Sequence, residues 1–276
     1  MGTLFQRALD ESQRAALGAQ YTGETDIRDL VEPVLMAPLR REWAALKRDL
    51  TADSADSTDR RPAGRSSVGR RKLEAFLKKP RTIIVLDPAC GSGNFLYVAL
   101  QMLLDLEKEV INFAAQLGFR FEPEVSVQQL RAIEINPYAF ELAQVSVQIG
   151  FLQWRRDNGF DNDRSPVLQK LDGFHNEDAL LVPHFRSKAR TLKEAQAGEH
   201  AGDDALKFYT ERDWPECDVI VGNPPFLGGK MIRRELGDAY VDALFATYGT
   251  RVRPEADLCC YWFEKARTLI KERRCR

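Results

Sequence analysis

The sequence predicts an α/β protein in which a parallel sheet carries helices on both faces. Three observations predict it. The short continuous apolar runs Ile83-Ile84-Val85-Leu86 and Val219-Ile220-Val221 have the composition of strands buried on both sides. Segments with helical periodicity alternate with such runs. Polar turns rich in glycine or proline follow both runs, in DPACGSGNF (87–95) and GNPPF (222–226).

Taken in order, residues 1–50 read as helical, with a break near QYTGETD (20–26). In DIRDLVEPVLMAPLRREWAALKRDL apolar residues recur at helical spacing, and Pro33 and Pro38 must start, kink or stop the helix. Residues 51–72 are polar, so a flexible loop with a basic end is expected, and a boundary falls there: segment 1–72, then the sheet domain over 73–276. Strand one at 83–86 enters the glycine-rich turn, and a helix follows from about Phe95 to Leu117, stopped by Gly118. LRAIEIN is the second strand. Asn136 caps the next helix and Pro137 opens it. That helix, YAFELAQVSVQIGFLQW, is apolar around much of its circumference and is expected to be mostly buried. A third strand within VLQKLDGFHNEDALL ends near His175 to Asp178. Residues 184–214 are polar and read as an insertion or lid. CDVIVG is the fourth strand, and the helix-like ADLCCYWFEKARTLI carries aromatic residues at core spacing.

Composition narrows the classes. The chain has 276 residues, 44% hydrophobic and 29% charged, which suffices for one large domain or two small ones. A net charge of −1 gives no basic field to hold a nucleic acid or a membrane surface. Five cysteines at irregular spacing, with no C-x-x-C pair, argue against a zinc site or a disulfide framework and fit a reduced cytoplasm. The histidines at 175, 184 and 200 lack ligand spacing, so no metal is expected. The polar start MGTLFQRALDESQ is no signal peptide, and no apolar run approaches the roughly 18 residues of a membrane span.

The turn DPACGSGNF lies where open α/β sheets bind ligands, at the carboxyl end of a strand. Gly91 and Gly93 let a ligand approach the backbone, and Asp87 at the strand tip can accept from an ammonium or hydroxyl group. Many such turns serve only to pack a helix on its strand. A pyrophosphate loop has a third glycine and an acid about 20 residues further on. Here the third glycine is missing, and the next strand-tip acid, Glu134, lies 41 residues after Gly93. No Lys-Ser or Lys-Thr pair is present either. The turn therefore suits a nucleoside without phosphates, with Glu134 on its ribose hydroxyls. On its own, Glu134 reads better as an exposed acid at a strand end; its pairing with DPACGSGNF is what favours the ribose role.

DPACGSGNF followed by NPPF resembles the S-adenosylmethionine-dependent DNA adenine-N6 methyltransferases, in particular the group with the cofactor motif ahead of the catalytic one. QYTGETD resembles the Tyr-Thr element that this group places before its sheet, with Gly23 where many members have Pro. HNEDALL, NPPFLGGK and ADLCCYWFEKA are similar to the methyltransferase part of fused type IIL restriction–modification proteins, and the resemblance spans 18–276. It implies a Rossmann-like class I methyltransferase sheet. It further implies that Asp87, Pro88, Ala89, Gly91 and Gly93 hold the methionine part of the cofactor, helped by Tyr21 and Thr22. Glu134 would bind the ribose and Ile135 the adenine ring, and Asp178, beside Ala179, would accept from the adenine amino group. As a sequence signal alone, Asp178 reads as a helix cap just as well. Asn223, Pro224, Pro225 and Phe226 would form the catalytic loop.

The chemistry explains those residue types. An exocyclic adenine amine is a poor nucleophile because its lone pair is delocalised into the ring. Two acceptors around its N–H groups, the Asn223 side-chain oxygen and the Pro224 carbonyl, would push the nitrogen toward tetrahedral geometry. Pro225 restrains the residue before it and removes a competing donor. Phe226 offers a stacking face to a base flipped out of the duplex. Without the glycine-rich turn, NPPF would read as a plain turn.

A complete sheet of that kind has more strands than the four counted here. The expectation is therefore a sheet truncated after about four parallel strands, preceded by an N-terminal helical segment. The nuclease and target-recognition domains are expected to be absent from this chain, so that double-stranded DNA is reached through a domain supplied elsewhere. Two alternatives stand beside the adenine methyltransferase. One is a remnant that only binds cofactor. The other is a methyltransferase for protein glutamine or RNA guanine, which shares the Asn-Pro-Pro-aromatic motif; QYTGETD and Phe226 favour DNA adenine.

Overall fold

The computed structural model describes residues 22–55, 67–160, 168–185, 206–272 and 275. Helix α1 (Glu24–Val31) continues through a π turn (Glu32–Met36) into α2 (Ala37–Ala55). Pro33, second in the π turn, has no N–H to place in an α ladder, and the wider turn absorbs that loss without ending the helical path. Pro38, second in α2, likewise has no N–H for the continuous helical path, and it sits directly after the π turn. Ile27, Val31, Leu35, Met36, Leu39 and Trp43 recur every three or four residues and are buried.

Helix α3 (Ser67–Thr82) corrects the expected loop over 51–72. At its other end α2 also runs on to Ala55, and 56–66 lie outside the described residues. The basic run suggested a solvated loop, yet Leu73, Phe76 and Leu77 share one buried face. Arg70 pairs with Glu74 and Arg71 donates to Ser67 along the helix surface, so the charges stay in water.

The strands are β1 (Val85–Asp87), β2 (Leu130–Ile133), β3 (Phe174–His175), β4 (Leu181–Phe185), β5 (Leu206–Glu211) and β6 (Val219–Ile220). Four of them form a parallel sheet, as the sequence predicts, and their order is β3-β2-β1-β6. Residues alternate between its faces. Val85, Leu130 and Ala132 join the core made with α1, α2, α3, α4 (Asn94–Gln116) and α5 (Pro137–Asp157). Leu86 and Ile133 face the other way, toward Trp214 and, on α8 (Cys259–Lys271), Leu269. Helices thus cover both faces.

Local signals act as read. The Asn136 Oδ1 accepts from the Ala139 N–H at 3.0 Å, and Gly118 ends α4 with φ 87°. Burial of α5 is one-sided: Ala143, Val147 and Trp154 are buried while Tyr138 and Val145 are exposed, because only one flank of the helix meets α4 and the sheet. The expected insertion at 184–214 is partly a strand pair. Its ends form the antiparallel ribbon β4–β5, and 186–205 lie outside the described residues. After β6 come α6 (Gly229–Leu236) and α7 (Asp238–Tyr248), which share a core with Leu180, Leu181 and Tyr261.

One buried ion pair joins α3 to α4. Glu107 is fully buried and meets Arg81 at 2.6 Å, and its oxygens also accept from the Glu124 and Val125 N–H groups at 2.9 and 3.0 Å. Glu107→Ala leaves a guanidinium and two amides without that acceptor. It is expected to remove about 3 kcal/mol of stability, read by urea denaturation. A loss near zero would mean that water replaces the carboxylate there.

Candidate active site

The candidate site lies at the carboxyl ends of the parallel strands. Chain order reverses across β1: β2 and β3 lie on one side and β6 on the other. The carboxyl ends of β1 and β6 therefore meet at a topological switch point, where such sheets bind ligands in a crevice.

Asp87 ends β1 and is only 1% exposed. Its Oδ1 accepts from the Ala89 N–H at 3.1 Å, while Oδ2 is buried with no hydrogen-bond partner. Burial pushes the carboxyl up to about 7; the Glu134 charge adds to this, and the Ala89 N–H works against it. Glu134, whose carboxyl burial also raises, ties two turns together. Its Oε2 accepts from the Gly91 N–H and its Oε1 from the Asn136 N–H, both at 2.8 Å. The Gly91 amide is thereby committed to a carboxylate, which removes it from any phosphate cradle. A Cβ at Gly91 (φ 53°) would meet open space. At Gly93 (φ 82°) a Cβ would lie 3.1 Å from the Ala143 backbone, so this glycine serves the packing of α4 against α5.

The second half of the crevice comes from β6. The Val221 N–H bonds the Leu86 carbonyl at 2.9 Å and carries the pairing to the edge of the motif. A Cβ on Gly222 would overlap Oδ1 of Asp87, so the loops after β1 and β6 touch at a residue that has to be glycine. Asn223 follows. Its Nδ2 donates to the Thr22 Oγ1 at 3.2 Å, and this turns the amide oxygen away from Thr22. Tyr21 lies outside the described residues. Pro224 and Pro225 are half-buried, and the ring of Phe226 is 51% exposed.

The loop beyond Phe226 is tied down by a residue the sequence reading passed over. Asp257 Oδ1 accepts from the Leu227 N–H at 3.0 Å and from Cys259 N–H at 3.1 Å, and the Leu258 N–H donates to the Leu227 carbonyl at 2.9 Å. An Asp just before an apolar helical run is the signal that could have found it. Trp262, read from its spacing as core, is half-buried, and its Nε1 donates to the Pro88 carbonyl at 3.1 Å. One end of α8 therefore holds both loops.

Ile135 is 63% exposed beside Glu134, where a flat apolar group can lie against it. Asp178 caps a turn into β4, a strand, so the helix-cap reading does not apply. Its Oδ1 accepts from the Leu180 and Leu181 N–H groups at 2.7 and 2.9 Å. Its Oδ2 accepts from the Tyr240 hydroxyl at 2.8 Å, and burial, then the Asp178 charge, push that phenol up and keep it a donor. Ala179 is buried, and its carbonyl accepts from Trp214. Cys90 is buried; burial, then the charges of Asp87 and Glu134, push its thiol up, which suits a small packing residue in the turn. Among the described residues no cluster of His, Cys, Asp and Glu could hold a metal, and His200 lies outside them. No described helix is long and apolar enough to cross a membrane.

A buried carboxylate, Asp87, and a half-buried one, Glu134, neither in a salt bridge among the described residues, fit a ligand with an ammonium and hydroxyl groups but no phosphates. This crevice, on this strand order, with an Asn-Pro-Pro-Phe loop packed on a glycine-rich turn, defines a Rossmann-like class I methyltransferase. The chain belongs to the family described as "MmeI, DNA-methyltransferase domain", whose model matches residues 63–276. It is 26% identical over 239 residues to DNA methyltransferase A of Bacillus subtilis, covering 85% of this chain and 22% of that protein. A putative type II restriction enzyme and methyltransferase of Methanocaldococcus jannaschii is 26% identical over 164 residues, or 55% of this chain and 13% of that protein. Among solved structures, the type IIL restriction–modification enzyme MmeI in complex with DNA superposes with a TM-score of 0.66 at 25% identity, over 98% of this chain and 31% of that one. The chain thus spans under a quarter of the length of the curated relatives it matches.

Proposed function

We propose that this chain is the catalytic part of a restriction–modification DNA methyltransferase that transfers a methyl group from S-adenosylmethionine to adenine N6. The observation that carries the reading is the contact between the two motifs: Gly222 packs on Asp87, and the next residue is Asn223 with the donor end of its amide already held. When bound, S-adenosylmethionine supplies an activated methyl group. Asp87 would hold its ammonium, Glu134 its ribose hydroxyls and Ile135 its adenine ring, with Pro88, Ala89 and Gly91 lining the turn. Asp178 can offer the remaining lone pair of its Oδ2 to the adenine amino group. Asn223 Oδ1 and the Pro224 carbonyl accept from the target amine, Pro225 fixes that carbonyl, and Phe226 stacks on the flipped base. The net charge of −1 agrees with target reading by other parts of a longer protein. The boundary expected between 72 and 73 falls within α3, so we begin the catalytic domain at that helix, with α1 and α2 as an entry segment packed on the same core, and assign the site of action to the cytoplasm.

Incubating the chain with labelled S-adenosylmethionine and mixed-sequence DNA, beside Asn223→Ala, tests this. Label on adenine that the variant loses supports the reading. Cofactor binding without label points to a binding-only role, and label on RNA guanine or protein glutamine points to the other substrates of this motif. Trp262→Phe keeps an aromatic ring and loses the indole donor to Pro88 with some packing. It is expected to weaken cofactor binding about tenfold, in line with one hydrogen bond, and to lower the melting temperature by a few degrees. Unaltered affinity in calorimetry would show that the Pro88 turn needs no such support.

A further inference from the structure

We infer that Thr22 is a positioning residue for Asn223, one that fixes which end of the amide faces the target base. This rests on the catalytic reading of Asn223 and reassigns Thr22 from cofactor contact to amide control. Thr22 lies just before α1, 201 residues from Asn223, and its Oγ1 accepts from Asn223 Nδ2 at 3.2 Å. The target amine has only N–H donors to offer, so it needs the amide oxygen. An amide turned by half a rotation would present two N–H donors to an amine, a repulsive pairing. Neither proline has an N–H to engage the amide oxygen, and among the described residues Thr22 is the one hydrogen-bond partner of the Asn223 side chain. A hydroxyl can accept or donate; here the Thr22 Oγ1 accepts from the NH2 end, and that pairing leaves Oδ1 facing away from Thr22. The loop after the motif is already fixed by Asp257, so the amide torsion is the degree of freedom left for Thr22 to set.

The inference gives Thr22 a role that a cofactor contact or a packing role would not share. Thr22→Val keeps the shape and loses the hydroxyl, and Thr22→Ser keeps the hydroxyl. Thr22→Val is expected to lower the single-turnover methylation rate at saturating cofactor about tenfold, the scale of one lost hydrogen bond, with cofactor Kd unchanged and Thr22→Ser near wild type. In the Asn223→Ala background Thr22→Val should add nothing, because its effect passes through the amide. Cofactor Kd weakened tenfold with an unchanged saturated rate would overturn the inference, as would full additivity of the two changes. A readout independent of turnover separates this from the catalytic reading. The Asn223 side-chain amide resonance, assigned by its loss in Asn223→Ala, should shift and exchange faster with solvent in Thr22→Val. An unmoved resonance overturns the inference even if the protein methylates adenine. A moved resonance with no adenine labelling upholds the amide control and overturns only the catalytic reading.

Discussion

Asn223→Ala is expected to cut adenine methylation by about a hundredfold to a thousandfold while cofactor Kd and melting temperature stay at wild-type values. The magnitude follows from what the side chain supplies. It is one of two acceptors that would draw the amine out of conjugation, and its orientation is set before the base arrives. A preorganised dipole at the reacting atom gives far more in the transition state than in the ground state, so the rate falls and binding does not. Stability should hold because Asn223 is only half-buried and its one described hydrogen bond is to Thr22. Single-turnover rates with labelled cofactor, beside equilibrium cofactor binding, check both halves. A rate within tenfold of wild type would mean that the Pro224 carbonyl or another group does the work assigned to Asn223.

Much of this site is legible in one dimension, and particular residues show why the rest is not. Composition marks β1 and β6 most directly, because each lies in an uninterrupted apolar run ahead of a breaker; β2 is legible despite Arg131, and β3 shows only as the short Phe174-His175 beside Gly173. The Asn136 cap and the Gly118 stop are local and act within a few residues, so the sequence displays them directly. The α3 helix was hidden because its apolar face, Leu73, Phe76 and Leu77, is sparse beneath a basic surface. The ribbon β4–β5 was hidden because its strands pair across residues with no fixed spacing. The site residues that escaped notice act at long range through single contacts. Trp262 reaches Pro88 over 174 positions and Tyr240 reaches Asp178 over 62, and no spacing encodes a partner that far away. Gly222 is the sharpest case. As a letter it extends a strand into a turn; in space it is the clearance that lets Asp87 stand beside the catalytic loop.

That clearance sets up a pH response in which stability and cofactor affinity run in opposite directions. Asp87 titrates near 7 in the folded protein because burial disfavours its charge. In the unfolded chain it returns to its ordinary value near 3.8, so between about 4 and 7 the folded state holds the extra proton. Stability from this group is therefore fully present below about 4 and is lost as pH rises to about 7, with no further change above. The cofactor's ammonium demands the opposite form, the ionised carboxylate. Affinity is expected to climb from pH 6 to pH 8, with proton release at the lower end that calorimetry in buffers of different ionisation enthalpy detects. The neighbouring titratable groups are Glu134, whose carboxyl is also raised, and Cys90, whose thiol is pushed up and stays neutral. The cofactor's amine titrates whichever protein binds it, so the difference between wild type and Asp87→Asn isolates Asp87. The variant should bind at least about tenfold more weakly at pH 8, the equivalent of one pKa unit of differential interaction, and should lose most of the slope. Equal slopes in the two proteins would show that Asp87 is a packing residue under Gly222 and does not hold the ammonium.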